Sequence, residues 1–566
     1  MNCTDVIKRH AVSSASRHAR RISQWRLIAL LIFFALCFSL VMISCRSLHE
    51  PKSVYERLNY TDADVYENEK KRIIKLVETA PVEALWSAKL LGDEEAVALS
   101  AQRTLELYNK SIDEKNFLDA LKYFRSLTAS GEEKLLPRTA SEEMLLSSAL
   151  RDVPGLFVDE QHLPKTISDC INATVTVWVT RGIAIKNGMG YADNVIGSGF
   201  FIDKRGYIVT NHHVIEDMVN PKNERYSRLY IKLASDSDTR IPAKVVGYDA
   251  VLDLALLKAE VDAPFVLALG TSSDLEVGDR VSAIGTPLGL DGTLTQGIVS
   301  AIGRKLFTTG SVLQIDAAVN SGNSGGPLID SHMRVQAIVF AGIQEFQGLN
   351  FAIPVEYLRQ DLPVLYVGGA LEHAWTASYG HTKKSSDGRE NLGLEVQYVM
   401  PGGSMHRAGF MQGDVITSFD GKKVSSIETM QDILRSYTPD TISVCEFLRG
   451  DETHTQLVYL TPRPENPGYE IYSSDLITGS FIPIFGMKLA TASTSSRRAF
   501  AVTEIINGSI ADETGFSEND PITISSVNFS DDNSRLYASI YTRRRKKGFL
   551  DIGMVLSAAL DSPYYF

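Results

Sequence analysis

The stretch NSGNSGGPLID, Asn320 to Asp330, sets Ser324 among glycines that allow a tight, exposed turn with backbone N–H groups facing a developing oxyanion. A serine so placed can attack a carbonyl once a base takes its proton and a carboxylate orients the base. Both partner types occur upstream at what read as strand ends, His213 in YIVTNHHVI and Asp253 in VLDLALLKA. Turn composition alone would equally suit an ordinary Gly/Ser loop; the company of His213 and Asp253 is what points to nucleophilic catalysis. The paired histidines of TNHHVIED also raise a metal reading on His212, His213 and Glu216. Zinc needs at least three well-placed protein ligands and no His/Cys cluster follows, so neither metal nor cofactor is expected.

The elements that must hold these residues are short. From Lys165 to about Leu362, runs such as ATVTVWVT, GSGFFID, YIVTN, DLALLKA and VQAIVFAGI are β-branched or aromatic and parted by Gly, Asp and Asn, which predicts an all-β double barrel. Before them, Ala96 to Leu127 carries apolar residues at three- and four-residue spacing broken near SIDEKN, a helical hairpin of tetratricopeptide type. A structural spacer is expected there rather than a partner-binding surface. After the β-rich region, Asn391–Gly421 and Arg498–Ile524 repeat one order of strand, Gly-Ser step, short helix ending in Gly-Phe, turn and strand, and so read as two related modules.

The chain of 566 residues is too long for one core. Its net charge of -11 gives no reason to expect nucleic acid, and the basic run Thr542 to Lys547 reads as a solvated strand or turn. Lys8, Arg9, Arg17, Arg20, Arg21 and Arg26 precede the uncharged apolar run Leu27–Ser44, about long enough to cross a bilayer with the N-terminus inside. Cys45 follows, so a retained anchor and a cleaved signal leaving a lipid on Cys45 are both open, and either attaches the body outside the cytoplasmic membrane, in the periplasm. Of the five cysteines, Cys170 and Cys445 alone fall in the exported body, in different predicted domains, which argues against a disulfide framework.

In order, GSGFFID, GYIVTNHHVI, DLALLKA, IGTPLGLDGTLTQGIVSAIGR, QIDAAVNSGNSGGPLID and GLNFAIPVEYL resemble the trypsin-like core of HtrA/Deg serine proteases, and the trailing modules are similar to PDZ domains. The resemblance covers about Ile167 to Phe566. It implies Ser324 as nucleophile, His213 as general base and then acid, Asp253 as the group holding the His213 tautomer, and the N–H groups of Gly322 and Ser324 as oxyanion donors. Of the two histidines, the family register selects His213 and leaves His212 as a loop or surface bystander. The segment Asn320–Asn323 becomes the place where activity is gated. Asn323 stands where digestive relatives carry an acid that pairs with a new α-amino group, so activation by N-terminal clipping is not expected.

Ala318 falls at the floor of the implied specificity pocket, with Leu349 and Phe351 as walls or plain core residues, which predicts cleavage after small or medium aliphatic residues. The implied carboxylate-binding loop of the first PDZ module covers Trp375, Thr376, Ala377 and Ser378, either as a peptide nest or as part of a docking domain without ligand; that of the second falls near Ile484–Ala490. The expected domains are residues 1–50 (basic segment and anchor or signal), 51–155 (helical), 160–368 (protease), 370–463 and 464–566 (PDZ-like). The leading expectation is an ATP-independent envelope endopeptidase acting on misfolded or exposed proteins, as a homotrimer or multiple of trimers, with peptide C-termini bound at its PDZ-like domains. The alternative is a chaperone or scaffold that captures unfolded chains.

Overall fold

The computed structural model describes residues 60–157, 160–186, 189–221, 227–286, 292–305, 310–320, 322–342, 349–492, 499–545 and 549–566. The apolar run Leu27–Ser44 and Cys45 lie outside the described residues; among those described, no helix is long and apolar enough to cross a membrane.

Five helices come first: α1 (Ala63–Thr79), α2 (Pro81–Leu91), α3 (Glu94–Asp113), α4 (Phe117–Ala129) and α5 (Glu142–Leu150). The expected hairpin is α3 and α4, each started by a side chain that caps an otherwise unpaired N–H, Asp93 for α3 and Asn116 for α4. Trp86 on α2 is fully buried and donates its Nε1–H to the Leu457 carbonyl at 2.9 Å, far along the chain in the first PDZ module. Arg407 of that module lies 4.6 Å from the Trp86 ring centroid and pairs with Glu69 and Glu83. Val82, Leu85, Trp86, Ala101 and Leu127 share one apolar cluster with Leu394, Ile416 and Phe447, so the helices and the module have a common core.

After a short helix α6 (Ile167–Asn172), strands β1 (Thr174–Lys186), β2 (Met189–Asp203), β3 (Tyr207–Thr210), β4 (Arg228–Leu233), β5 (Asp236–Asp249) and β6 (Leu254–Ala259) pair in the order β5-β4-β1-β2-β3-β6, and β5 pairs with β6 to close the barrel. A helix α7 (His212–Val219) follows β3. The second barrel closes in the order β10-β11-β12-β9-β8-β7, from β7 (Arg280–Gly285), β8 (Thr293–Arg304), β9 (Val312–Ile315), β10 (Pro327–Ile329), β11 (Val335–Gly342) and β12 (Asn350–Pro354). Helix α8 (Val355–Val367) returns to the first barrel, where β13 (Gly369–Ala370) adds a parallel strand to β5. The protease sheet therefore reaches past residue 368.

The first PDZ module contains β14 (Ala374–Trp375), β15 (Ser378–Lys384), β16 (Asn391–Val399), β17 (Val415–Phe419), β18 (Lys422–Lys423), β19 (Thr441–Arg449) and β20 (Glu452–Pro462). Its helices are α9 (Ser404–Ala408) and the amphipathic α10 (Ile427–Arg435), which buries Ile427, Met430, Ile433 and Leu434. The second module follows α11 (Pro467–Ser474) and α12 (Ile477–Phe485) with the five-stranded sheet β21 (Met487–Thr491), β22 (Ala499–Ile505), β23 (Pro521–Phe529), β24 (Arg535–Arg545) and β25 (Phe549–Ala559) in sequential order, and α13 (Ile510–Thr514) after β22. In the first module α10 separates β18 from β19, whereas residues 530–534 alone join β23 to β24 in the second. In the basic run, Arg543 lies on β24 and pairs with Asp551 at 2.7 Å; residues 546–547 lie outside the described residues.

Candidate active site

His213 does not sit at a strand end. Strand β3 stops at Thr210, Asn211 takes the N-cap position, and His213 is the second residue of α7. The cause is a cap supplied from a distance. One Asp253 oxygen accepts the His213 backbone N–H at 2.8 Å, a donor that a helix N-terminus otherwise leaves unpaired. The other Asp253 oxygen lies 2.7 Å from His213 Nδ1. Asp253 is fixed in turn, with a left-handed φ of 56 and its carbonyl accepting Asn211 Nδ2–H at 2.8 Å and the His212 N–H at 3.2 Å. The carboxylate therefore places a proton on Nδ1 and leaves Nε2 as the basic nitrogen. Desolvation opposes charge on the His213 ring, but the hydrogen bond and negative charge of Asp253 outweigh it and raise its pKa above the ordinary histidine value.

His212 separates from His213 through helical rotation, not strand alternation, and it is half-buried on α7 rather than in a loop. Its ring stacks on Tyr248 with centroids 5.0 Å apart, and burial lowers its pKa. The grouping of His212, His213 and Glu216 as metal ligands is not gathered among the described residues, where His213 Nδ1 is committed to Asp253.

Ser324 comes from the other barrel, on the turn before β10. The Asn323 N–H donates to the Asn320 carbonyl at 3.0 Å, closing a turn in which Gly322 takes a left-handed φ of 103. The Gly322 carbonyl accepts the Ser198 hydroxyl at 2.6 Å. The 322–323 peptide is thus held at both ends, by its carbonyl and by its N–H. Among the described residues, neither this N–H nor that of Ser324 donates to a protein acceptor. Behind the serine, a Cβ on Gly326 would lie 2.2 Å from the Ile284 carbonyl, so glycine lets the turn lie directly on the barrel wall. The Ser324 hydroxyl donates to the Phe340 carbonyl at 3.1 Å, its hydrogen bond in this conformation. Asn323 is buried and its Oδ1 has no partner among the described residues.

Sequence reasoning missed Ser198 and Phe340. Ser198, fully buried on β2, ties three segments together: its N–H donates to the Ser324 carbonyl at 2.7 Å, its hydroxyl accepts the Thr286 N–H at 2.9 Å, and its carbonyl accepts the Thr210 hydroxyl at 2.7 Å. The signal was present as a serine between two glycines, just before the buried run Phe200–Ile202. Phe340 holds the Ser324 hydroxyl through its carbonyl and lies 6.5 Å from the Phe351 ring. Phe351 is buried on β12, Leu349 is half-buried just before it, and Ala318 is exposed with its carbonyl accepting the Thr295 hydroxyl at 2.9 Å. Phe351 is thus linked to Ser324 through Phe340.

The four residues implied for the PDZ loop are gathered around an occupant. The N–H groups of Thr376 and Ser378 both donate to the Phe566 carbonyl oxygen at 3.2 Å, and Thr376 Oγ1 donates to it at 2.6 Å. Ala377, with φ 62, makes the left-handed step that turns successive N–H groups to one side. Trp375 is buried beside them and its carbonyl accepts the Thr461 hydroxyl at 3.1 Å. In the second module the expected loop is the Gly486 end of α12, where φ is 75.

A double barrel with an imidazole–carboxylate pair on one barrel and a glycine-rich serine turn from the other packed against Thr210 and Asn211, where a Cβ on Gly325 would lie 3.0 Å from the Asn211 nitrogen, followed by two PDZ-type folds, defines the trypsin-like serine protease class with PDZ modules. Known families agree. Residues 197–338 match the trypsin-like peptidase domain, 380–460 the PDZ domain, 468–560 the TP0546 family PDZ domain, and 64–148 a domain of unknown function (DUF8517). The chain is 34% identical over 292 residues to the putative serine protease HhoA of Synechocystis, covering 48% of this chain and 71% of that one. It is 35% identical over 286 residues to a probable periplasmic serine endoprotease DegP-like of Pseudomonas fulva, covering 49% and 57%. Among solved structures it resembles an HtrA-type protease AlgW with decapeptide at 24% identity and TM-score 0.45, covering 53% of this chain and 99% of that one. The chain belongs to the HtrA/Deg family of trypsin-like serine proteases. Its match spans between 57% and 71% of the length of the two named curated relatives.

Proposed function

We propose that this chain is an ATP-independent serine endopeptidase of the cell envelope that cleaves misfolded or exposed proteins. The observation that carries this reading is the His213 Nδ1 to Asp253 hydrogen bond at 2.7 Å, which leaves Nε2 as the basic nitrogen of a ring at the start of α7, against which the Ser324 turn packs. Ser324 Oγ rotates from the Phe340 carbonyl toward His213 Nε2, gives up its proton there and attacks the scissile carbonyl. The negative charge that develops on the substrate oxygen is received by the Gly322 and Ser324 N–H groups, which need no reorganisation at that moment. His213 then returns the proton to the leaving amine, and water repeats the sequence to release the acyl group.

Cleavage after small or medium aliphatic residues is supported by the absence of an acid at Ala318 and by the apolar Phe340 and Phe351 beside the turn. The apolar run Leu27–Ser44 and Cys45 support attachment to the membrane with the body in the periplasm. Assembly as a homotrimer, or a multiple of it, follows the family resemblance; Ile183, Ile185 and Met189, exposed on the β1–β2 hairpin, support association. The PDZ modules are read as receptors for peptide C-termini, a role supported for the first by the strand lying in its groove.

Peptide-library cleavage by residues 50–566, beside the Ser324→Ala variant, tests these points together. Turnover after Val, Ala or Ile that vanishes in Ser324→Ala is expected. Faster turnover after Arg would overturn the pocket assignment, and equal turnover by the variant would overturn the nucleophile.

A further inference from the structure

The segment that leaves β25 crosses into the first PDZ module while Tyr565 still touches the second, its hydroxyl donating to the Pro483 carbonyl at 3.4 Å and its ring packing with Ile471 and Ile482. Leu560 is anchored there by an N–H bond to the Ser534 carbonyl at 2.8 Å, and its own carbonyl accepts the Gly468 N–H at 2.7 Å. Asp561 then pairs with Arg463, and from Pro563 onward the chain lies in the first module, between β15 and α10.

Four kinds of contact place it there. The backbone pairs as an antiparallel strand: the Phe566 N–H donates to the Ser378 carbonyl at 3.0 Å, the Gly380 N–H donates to the Tyr564 carbonyl at 3.1 Å, and Tyr565 lies opposite Tyr379. The Phe566 carbonyl fills the Thr376–Ser378 nest. The Phe566 side chain, 2% exposed, joins the apolar cluster that holds Leu394, Met430 and Leu434. The groove helix closes over the strand, with Gln431 Nε2 donating to the Pro563 carbonyl at 2.8 Å. Tyr564 faces the protease. Its ring stacks on His381 at 3.9 Å and has Lys305, just beyond β8, 5.7 Å away, while Lys305 pairs with Glu428 of α10.

Strand addition with a capped end and an anchoring side chain is how such modules hold a peptide ligand. We propose that Pro563–Phe566 is the resident ligand of this chain's own first PDZ groove, and that peptides ending in aromatic-aromatic-Phe enter it only by displacing that segment. The inference rests on the reading of this module as a peptide receptor. It adds the ligand chemistry, an extended strand with a terminal Phe in an apolar pocket and a Tyr two residues earlier against His381, and it adds a built-in competitor. A segment tethered through a folded module acts at an effective concentration of roughly millimolar. Against a free peptide of about 10 μM intrinsic affinity, the tether weakens apparent binding about a hundredfold.

The test titrates a fluorescein-labelled peptide, Asp-Ser-Pro-Tyr-Tyr-Phe, into the full chain and into the same chain lacking residues 564–566. Binding about a hundredfold tighter to the shortened chain is expected. Equal affinity for the two chains would overturn the resident-ligand inference while leaving the receptor reading standing; binding to neither would overturn both. Because the deletion removes buried aromatic side chains, a second measurement uses the intact chain. Exchange of the Phe566 N–H is expected to be slow and to accelerate when excess unlabelled peptide is added, and an exchange rate unchanged at saturating peptide would contradict displacement.

Discussion

Two turns in this molecule carry backbone N–H groups read as receptors for a carbonyl oxygen, one by proposal and one by its contacts, and they differ in what those groups meet. At Gly322 and Ser324 the N–H groups have no protein acceptor among the described residues; at Thr376 and Ser378 they hold the Phe566 oxygen. Both need a left-handed residue, Gly322 with φ 103 and Ala377 with φ 62. The conformations show why glycine is required at one and dispensable at the other, since φ near 60 is open to alanine at a modest cost and φ near 100 is not. The comparison separates two uses of one device. The nest proposed to stabilise a transient charge has its Gly322 carbonyl tied to Ser198 across the barrels. The Thr376–Ser378 nest holds the carbonyl of a strand that also buries an aromatic side chain.

The two nests can be broken separately, beginning with the orienting carboxylate. Asp253→Asn removes the charge that holds the His213 tautomer and should lower kcat by about 10⁴. Its pH dependence carries a sign. Catalysis needs neutral His213, whose pKa is raised, so wild-type kcat/KM falls as pH drops through a midpoint above the ordinary histidine value, and the residual activity of Asp253→Asn should show that midpoint moved down. Gly322→Ala comes next. A Cβ cannot be carried at φ 103, so the N–H turns away and kcat should drop about 10²–10³ with KM nearly unchanged, while peptide binding to the PDZ groove is unaffected. Thr376→Val is the reciprocal change in the filled nest. Losing the 2.6 Å hydrogen bond to Phe566 should accelerate exchange of the Phe566 N–H about fivefold, which corresponds to about 1 kcal/mol.

Much of the proposed reactive centre was legible because its residues sit in short motifs with local meaning. NSGNSGGPL carries its own turn, and the strands flanking His213 and Asp253 alternate or bury as short β runs do. What escaped depends on contacts between distant segments. Helix α7 begins at His212 because a carboxylate 40 positions away caps it, and nothing in TNHHVIED itself announces that partner. Ser198 reaches Gly322 across 124 positions, and Phe340 reaches Ser324 from another strand of the second barrel. The occupant of the first PDZ groove is 190 positions from Thr376, in a segment too short to show any periodicity. The loss of a groove helix in the second module was hidden for a different reason, since its strands repeat the first module's order up to residue 529 and then continue without the insertion.

The central claim is that Ser324, activated through His213 and Asp253, makes the covalent bond with substrate. Treating the intact chain with a serine-directed phosphonate, mapping the adduct by mass spectrometry and following casein cleavage in the same samples tests it most directly. The predicted result is a single adduct on Ser324 whose formation parallels the loss of cleavage, with both absent in Ser324→Ala. Casein cleavage that persists in Ser324→Ala, or inactivation with Ser324 unmodified, would contradict it.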